Sequence, residues 1–246
     1  MMQLFKDPIL LAIATATTLP FLAMAVILIF TRHNVRLSCT ISVGTIGVSL
    51  MSALYLLITL WNAPAPIEYK ALWMMSGNAI TISFGYLLDP LSLLMLTIVA
   101  VISSMVQIYS LGYMAGDPGI TRYYAFQSLF AWAMMTMVIA PGMMQLYIFW
   151  ELVGLASYLL IGYYYEKYSA QQACKKAFVM TRLGDIGFFL GLVTLLLGRV
   201  SLEILDLNQL ASAHKIEPYL ATVSALLIFG GVMGKSAQFP LLTWLP

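Results

Sequence analysis

The sequence predicts an all-α membrane protein, a bundle of about seven transmembrane helices, and two observations carry this prediction. Of the 246 residues, 61% are hydrophobic and only 9% are charged, and the mean hydropathy is +0.91. Ordinary soluble domains are about 45–50% apolar and about 25% charged. Seven long apolar runs also follow one another along the chain. Each is close to the roughly 20 residues that cross a bilayer core of about 30 Å.

The small number of charges excludes two broad classes of protein. The chain has 12 Lys and Arg and 10 Asp and Glu, which is too little polar surface for a soluble enzyme of this size. No basic patch is present, so we expect no nucleic-acid partner. The two cysteines, Cys39 and Cys174, lie in separate apolar runs without metal-ligand spacing. We therefore expect no metal site in this chain.

Charges, prolines and glycines mark the ends of the apolar runs. The first run begins after Asp7 and ends before Arg32, and the second ends at a Pro-rich segment. The predicted spans cover about residues 8–30, 38–61, 88–114, 123–139, 143–165, 173–197 and 218–235. The last span meets Pro240 soon after Lys235, which predicts a discontinuous helix. Because the chain stops at Pro246, we expect this helix to be cut short, with backbone groups that lipid cannot satisfy.

Two segments between the spans are predicted to lie outside the bilayer. In residues 67–87, Ile80, Ile82 and Phe84 alternate with small or polar residues, a pattern that predicts a short β-hairpin. Residues 199–217 contain leucines spaced among charges, which predicts an interfacial helix or a packed loop.

The basic residues of the loops favour an N-terminus outside the cell. With that orientation the cytoplasmic loops contain Arg32, Arg36, Arg122, Lys167, Lys175 and Lys176, and the outer segments contain Lys6, Lys70, Arg199 and Lys215. Cytoplasmic loops carry an excess of Lys and Arg, so the six-against-four distribution supports this topology. An N-terminus without a compact signal-peptide pattern favours a bacterial inner membrane over an organellar one.

Four ionisable side chains interrupt the apolar runs and are the candidate functional residues. They are Glu151, Arg182, Asp185 and Lys235. A charge at the bilayer centre costs about 2.5–3.5 kcal/mol on insertion scales, so each needs a partner, a water path or a function.

Glu151 is the first candidate, since it lies eight residues after the start of its run, roughly 12 Å along a helix. Apolar surroundings favour its neutral form and a nearby Lys favours its carboxylate, so its protonation can change when a partner moves. The alternative is a static ion pair that fixes helix packing.

Arg182 and Asp185 are spaced i,i+3, so they share one helix face and can neutralise each other. A structural role is favoured for this pair. Gly184, Gly187 and Gly191 surround it, and such a small-residue patch lets a neighbouring helix approach closely.

Lys235 follows a glycine-rich stretch at the predicted helix break. Discontinuous helices hold the ion sites of many transporters, which makes Lys235 the second candidate. Snorkelling of its side chain to the membrane interface is the alternative.

Five motifs, taken together and in order, resemble a known family. They are LDPLSLLML (88–96), IYSLGYM (108–114), FWELVGLASYLLIG (149–162), TRLGDIGFFLG (181–191) and GKSAQFPLLTWLP (234–246). The chain from about residue 77 onward resembles the antiporter-like, proton-pumping membrane subunits of respiratory complex I. The likeness is to the NADH-quinone oxidoreductase subunit L, or chain 5, family.

The resemblance implies a site and a setting. Glu151 and Lys235 match the charge pair of a proton half-channel, Arg182 and Asp185 match its supporting ion pair, and Asp89 matches an acid with either a structural or a conducting role. The chain would be a non-redox subunit of a translocase and would bind no redox cofactor. NADH, FMN, iron–sulfur clusters and quinone would belong to partner subunits. Its partners would be other membrane-arm subunits, the lipid bilayer and protons.

The resemblance also implies a division of the chain into three parts. Residues 1–66 would form two N-terminal helices, residues 67–127 a module with the hairpin and the third helix, and residues 128–246 an incomplete proton-translocating module. Family members continue beyond WLP, so the chain would be a fragment, a truncated product or half of a split protein, with at most one half-channel. The alternatives are the large subunit of a multisubunit sodium/proton antiporter, a membrane hydrogenase subunit, and a non-conducting remnant that only packs against partners.

Overall fold

The computed structural model describes residues 7–76 and 80–245, with the backbone alone at 75–76 and 80–81. Lys6 and Pro246 therefore lie outside the described residues. The helices are α1 (Pro8–Val26), α2 (Val35–Leu60), α3 (Pro90–Tyr113), α4 (Ile120–Val138), α5 (Met143–Ile161), α6 (Tyr168–Leu197), α7 (Ile204–Ser212) and α8 (Pro218–Lys235). The predicted hairpin is confirmed, with β1 (Ile67–Ser76) paired to β2 (Ile80–Leu88).

Seven helices occupy the seven predicted spans. Within the described residues, six of them are both long and apolar enough to cross a membrane: α1 with the π turn that extends it to Thr31, α2, α3, α5, α6 and α8. Helix α4 is less apolar because its first turns carry Arg122, two tyrosines and Gln127. The all-α membrane class is confirmed, and the count of seven spans is approximate.

Short polar side chains fix the starts of three of these helices. Asp7 accepts a hydrogen bond from the amide of Ile9 at 2.9 Å, and Asn34 accepts one from the amide of Leu37 at 3.1 Å. Asp89 does the same for α3. Each of these residues satisfies an amide that has no partner in the first helical turn, so the helix begins there.

Helices α1 to α4 form one compact unit, unit 1, made of residues 7–68 and 86–139. Its apolar centre includes Ile13, Leu56, Leu96 and Met135, all fully buried. The three parts predicted from the motifs remain a prediction, but contacts group α4 with α1–α3 and not with the later helices.

The second unit, unit 2, contains residues 69–76 and 80–85 of the hairpin and residues 140–245. Its core comprises Phe188, Leu192, Leu195, Val200 and Leu202. Helix α7 has no buried residue, and its Leu207 and Leu210 pack at the edge of this core. Of the two alternatives predicted over 199–217, the structure therefore shows a helix, and its place at the membrane interface stays a prediction.

The discontinuity of the last span is confirmed. Helix α8 ends at Lys235, and a single 3-10 turn follows at Leu242–Trp244. The carbonyls of Val232, Met233 and Gly234 still accept hydrogen bonds, from the Ser236 amide at 2.9 Å, the Gln238 amide at 3.0 Å and Trp244 Nε1 at 2.9 Å. The expectation of unsatisfied backbone groups at the break is therefore wrong for these carbonyls, because the residues after the break fold back onto the helix end.

Candidate functional site

Three helices of unit 2 bring the four intramembrane charges together. Helix α5 carries Glu151, α6 carries Arg182 and Asp185, and α8 ends at Lys235. Close helix packing makes this possible, as the glycine patch predicted. A Cβ on Gly184 would lie 2.9 Å from the carbonyl oxygen of Gly230, so the backbones of α6 and α8 are in contact.

The charges form a chain of alternating sign. The Arg182 guanidinium pairs with the Glu151 carboxylate and donates a hydrogen bond to the Glu151 carbonyl at 3.3 Å. Arg182 Nη1 also lies 3.8 Å from Asp185 Oδ2, and Lys235 Nζ lies 3.6 Å from the same oxygen. The order in space is therefore Glu151, Arg182, Asp185, Lys235, and we call these four residues the charge chain.

The structure differs from the predicted pairing in two respects. Among the ion pairs of the described residues, none joins Glu151 to Lys235 directly, since Arg182 and Asp185 stand between them in the charge chain. Arg182 and Asp185 do approach each other, but neither is neutralised only by the other. Arg182 is shared between two carboxylates, and Asp185 is shared between two cations.

Burial is uneven along the charge chain. The Asp185 side chain is 2% exposed, whereas the side chains of Glu151, Lys235 and Arg182 are 21%, 18% and 29% exposed. A fully buried carboxylate is stable only with close cationic or hydrogen-bonding partners. Asp185 is thus the member of the charge chain that depends most on its neighbours.

Two residues that the sequence analysis did not select complete the site. Trp150 Nε1 donates a hydrogen bond to Asp185 Oδ1 at 2.6 Å, and Lys235 Nζ lies 5.7 Å from the centre of the Trp150 ring. Lys235 Nζ is also 3.5 Å from the Trp150 carbonyl oxygen. A Cβ on Gly154 would lie 2.6 Å from Lys235 Nζ, so the ammonium group would have to shift if residue 154 carried a side chain. The one sequence signal for Trp150 is its place beside Glu151.

Two family models match parts of this chain. The family model described as "NADH:quinone oxidoreductase/Mrp antiporter, TM" matches residues 140–246, which include the whole charge chain. A second model, "NADH-Ubiquinone oxidoreductase (complex I), chain 5 N-terminus", matches residues 73–124. The chain belongs to the family of antiporter-like membrane subunits.

Curated antiporter-like relatives are considerably longer than this chain. It is 41% identical over 222 residues to an NAD(P)H-quinone oxidoreductase chain 5 of Picosynechococcus sp., covering 88% of this chain and 33% of the relative. It is 39% identical over 212 residues to the chloroplastic NAD(P)H-quinone oxidoreductase subunit 5 of Chlorokybus atmophyticus, covering 82% and 32%. The chain therefore spans about a third of the length of these relatives.

A solved structure shares the fold. The Mrp complex of a Dietzia species contains a chain that superposes with a TM-score of 0.78 at 25% identity, over 98% of this chain and 25% of that one. The antiporter-like fold thus covers nearly the whole chain.

Asp89, the remaining candidate in this antiporter-like chain, is a helix cap in unit 1. Its carboxylate accepts a hydrogen bond from the Ser92 amide at 2.7 Å, and its own amide donates to Ser92 Oγ at 2.9 Å. This reciprocal arrangement is a capping box at the start of α3. The hydrogen bonds of Asp89 are those of a structural residue that caps α3.

A further buried carboxylate, Glu203, lies in unit 2 outside the charge chain. Glu203 Oε1 accepts hydrogen bonds from the amide and the hydroxyl of Ser83, at 3.2 and 2.8 Å, and Lys70 Nζ is 3.1 Å from Oε2. Nearby, the Gln145 side chain accepts from the Gly85 amide at 2.8 Å and donates to the Gly85 carbonyl at 3.0 Å. These contacts attach the hairpin to the start of α5 and to the segment before α7.

Replacing Glu203 by Gln is expected to loosen the hairpin. The substitution removes the negative charge that Lys70 meets at residue 203 and weakens the contacts to Ser83, and hydrogen bonds to charged groups are worth about 1.5–3 kcal/mol. Local opening should then be roughly tenfold or more frequent. Trypsin cleavage after Lys70, followed by mass spectrometry in detergent micelles, measures this opening.

Glu217→Gln is the matched control for the Glu203 experiment, because Glu217 is an exposed acid at the start of α8. It should leave the cleavage rate after Lys70 unchanged. Equal cleavage rates in Glu203→Gln and the unmodified protein would show that the carboxylate does not hold the hairpin.

Proposed function

We propose that this chain is part of a proton-translocating membrane subunit of an NAD(P)H-quinone oxidoreductase. The observation that supports the proposal is the charge chain, in which four ionisable groups from three membrane-spanning helices lie within ion-pairing distance of their neighbours. Static buried ion pairs seldom improve on apolar packing, so an arrangement of four points to a role in transport.

Arg182 gives the charge chain a way to move a proton. When Arg182 pairs with Glu151, Asp185 compensates the charge of Lys235, and Lys235 keeps its proton. If Arg182 moves fully to Asp185, Glu151 loses its cation and two cations share one carboxylate. Transfer of a proton from Lys235 to Glu151 then removes one positive and one negative charge from an apolar region, which lowers the electrostatic cost. A conformational change in a neighbouring subunit would drive this movement of Arg182.

The proposed setting follows from the same assignment. The chain would act with other membrane-arm subunits, and the redox groups (NADH, FMN, iron–sulfur clusters and quinone) would be bound by partner subunits. We propose a bacterial inner membrane for it, with the N-terminus outside. Arg32 lies between α1 and α2 and Arg36 lies in the first turn of α2, and such a pair of cations favours the cytoplasmic side.

Replacing Glu151 by Gln tests the proposal. The amide can neither accept the proton nor pair with Arg182, so NAD(P)H-driven proton uptake into inverted membrane vesicles should fall at least about tenfold, for a loss of about 1.4 kcal/mol or more. The amount of assembled complex should fall much less. Quenching of a pH-sensitive acridine dye measures uptake, and native gel electrophoresis measures assembly.

Glu166→Gln is the matched control for the Glu151 experiment, since Glu166 is an exposed acid just beyond the end of α5. It should leave both proton uptake and assembly unchanged. The proposal fails if Glu151→Gln vesicles accumulate protons normally, or if proton uptake falls only in proportion to the assembled complex.

A second candidate function is sodium/proton exchange. It is favoured by the description of the family model that matches residues 140–246 and by the superposition on a chain of an Mrp complex. Vesicles without an electron donor distinguish the two functions. An imposed sodium gradient would move protons through an antiporter, whereas a subunit of a quinone oxidoreductase would respond to NAD(P)H and quinone.

A further inference from the structure

Unit 1 contains a buried polar cluster that the proposed function does not use. Ser42 of α2, Gln107 of α3, and Tyr124 and Ser128 of α4 meet inside the four-helix bundle, and each of them is at most 1% exposed. They connect three helices through side chains in the interior of the bundle.

The hydroxyl groups of this cluster donate hydrogen bonds that lead to Gln107. Ser42 Oγ and Ser128 Oγ are 2.7 Å apart, and Ser42 Oγ donates to Gln107 Oε1 at 2.9 Å. Because a hydroxyl has a single proton, Ser128 must donate to Ser42. The Tyr124 hydroxyl donates to the Gln107 carbonyl oxygen at 2.9 Å. The donors of Ser42, Ser128 and Tyr124 are therefore all in use.

The Gln107 amide group is the exception. Its Nε2 atom carries two N–H donors, is buried, and donates to no acceptor among the described residues. Exchanging the oxygen and nitrogen of the Gln107 amide would not remove the unpaired group. The nitrogen would then donate to Ser42, and the amide oxygen would be the buried atom without a hydrogen-bond partner. Ser49 Oγ, on the same buried side of α2, also has no partner among the described residues.

We propose that Gln107 binds a single internal water molecule in the bundle of α2, α3 and α4. The water would accept a hydrogen bond from Gln107 Nε2–H and donate to Ser128 Oγ and Tyr124 Oη, neither of which accepts a hydrogen bond within the part of the chain that the structure describes. Buried waters of this kind make about three hydrogen bonds to polar groups that the protein leaves unpaired. A cation does not suit the site, since Gln107 Nε2 supplies only N–H donors to it and no carboxylate belongs to the cluster.

X-ray hydroxyl-radical footprinting of the subunit in its purified native complex tests the proposal. Radiolysis of a bound water oxidises the side chain beside it even where bulk solvent has no access. Tyr124 should therefore be oxidised although it is fully buried. Met135 is the internal control, because it lies on the same helix, is equally buried, and has a sulfur that oxidises readily. An unlabelled Tyr124 in the unmodified protein would overturn the proposal.

Substitutions then locate the water. Gln107→Leu removes both donors at similar volume and should reduce Tyr124 oxidation several-fold. Gln127→Leu is the matched control, since Gln127 of α4 donates to Tyr123 and not to the cluster, and it should leave Tyr124 oxidation unchanged. If Gln107→Leu loosens the bundle, which oxidation of Met135 would reveal, Ser128→Ala serves as the second variant, because it removes an acceptor of the water and should give the same loss. Persistent Tyr124 oxidation in a folded Gln107→Leu or Ser128→Ala variant would contradict the proposed site.

Discussion

Replacing Asp185 by Asn is expected to abolish proton translocation and to destabilise unit 2 more than any other single change in the charge chain. Asp185 is buried, and its carboxylate is contacted by Arg182, Lys235 and Trp150. Removing one partner of a buried charged group costs about 3–5 kcal/mol, because the remaining charge is left uncompensated. Here two cations lose the anion that they share.

Proton uptake by inverted vesicles and thermal unfolding of the purified complex measure the two effects. Asp185→Glu is the conservative control, since it keeps the negative charge and should restore part of the translocation. Trp150→Phe removes only the Nε1–H donor and should have a smaller effect in the same direction, because one charged hydrogen bond is worth about 1.5–3 kcal/mol. A fully active and stable Asp185→Asn complex would contradict the assignment of Asp185 as the shared carboxylate.

The membrane-spanning helices and the four charged residues of the site could be predicted from the sequence because both follow from the apolar bilayer. A bilayer requires long apolar helices, so spans and their ends are visible as runs and interruptions. The same rule makes Glu151, Arg182, Asp185 and Lys235 conspicuous, because a charge in such a run has a high cost. The break after Lys235 was visible from the glycines before it and Pro240 after it.

The partners of these charges could not be predicted in the same way. Spacing along one helix shows that Arg182 and Asp185 are neighbours, but which carboxylate Lys235 meets depends on the rotation of α5, α6 and α8 about their axes. The sequence did not mark Trp150 as a site residue, because an aromatic side chain in an apolar run carries no free-energy penalty in the membrane that would call for a partner. Glu203 gave none because Ser83, its partner, is 120 residues away in the sequence.

Two glycines of the interface between α6 and α8 are expected to respond differently to substitution by alanine. A Cβ on Gly184 would lie 2.9 Å from the Gly230 carbonyl oxygen and 3.0 Å from Gly234 Cα. Both are backbone atoms, which cannot move away by rotation of a side chain. Gly184→Ala should therefore push the helices apart and destabilise unit 2 by about 1–3 kcal/mol, as overpacking of a close interface does. Because Lys235 is carried by α8, its distance from Asp185 should increase as well.

Gly230→Ala is expected to have the opposite sign. At Gly230 an added Cβ would have Gly187 Cα at 4.0 Å as its nearest neighbour, an ordinary contact distance. Alanine is also a better helix former than glycine by about 1 kcal/mol. Thermal unfolding of the two variants in the same detergent, with native gels to measure assembly, gives the comparison. Equal midpoints would show that the α6–α8 interface is not close packed at Gly184. A lower midpoint in Gly184→Ala alone, with loss of proton uptake, would show that close packing of these helices holds Lys235 within reach of Asp185.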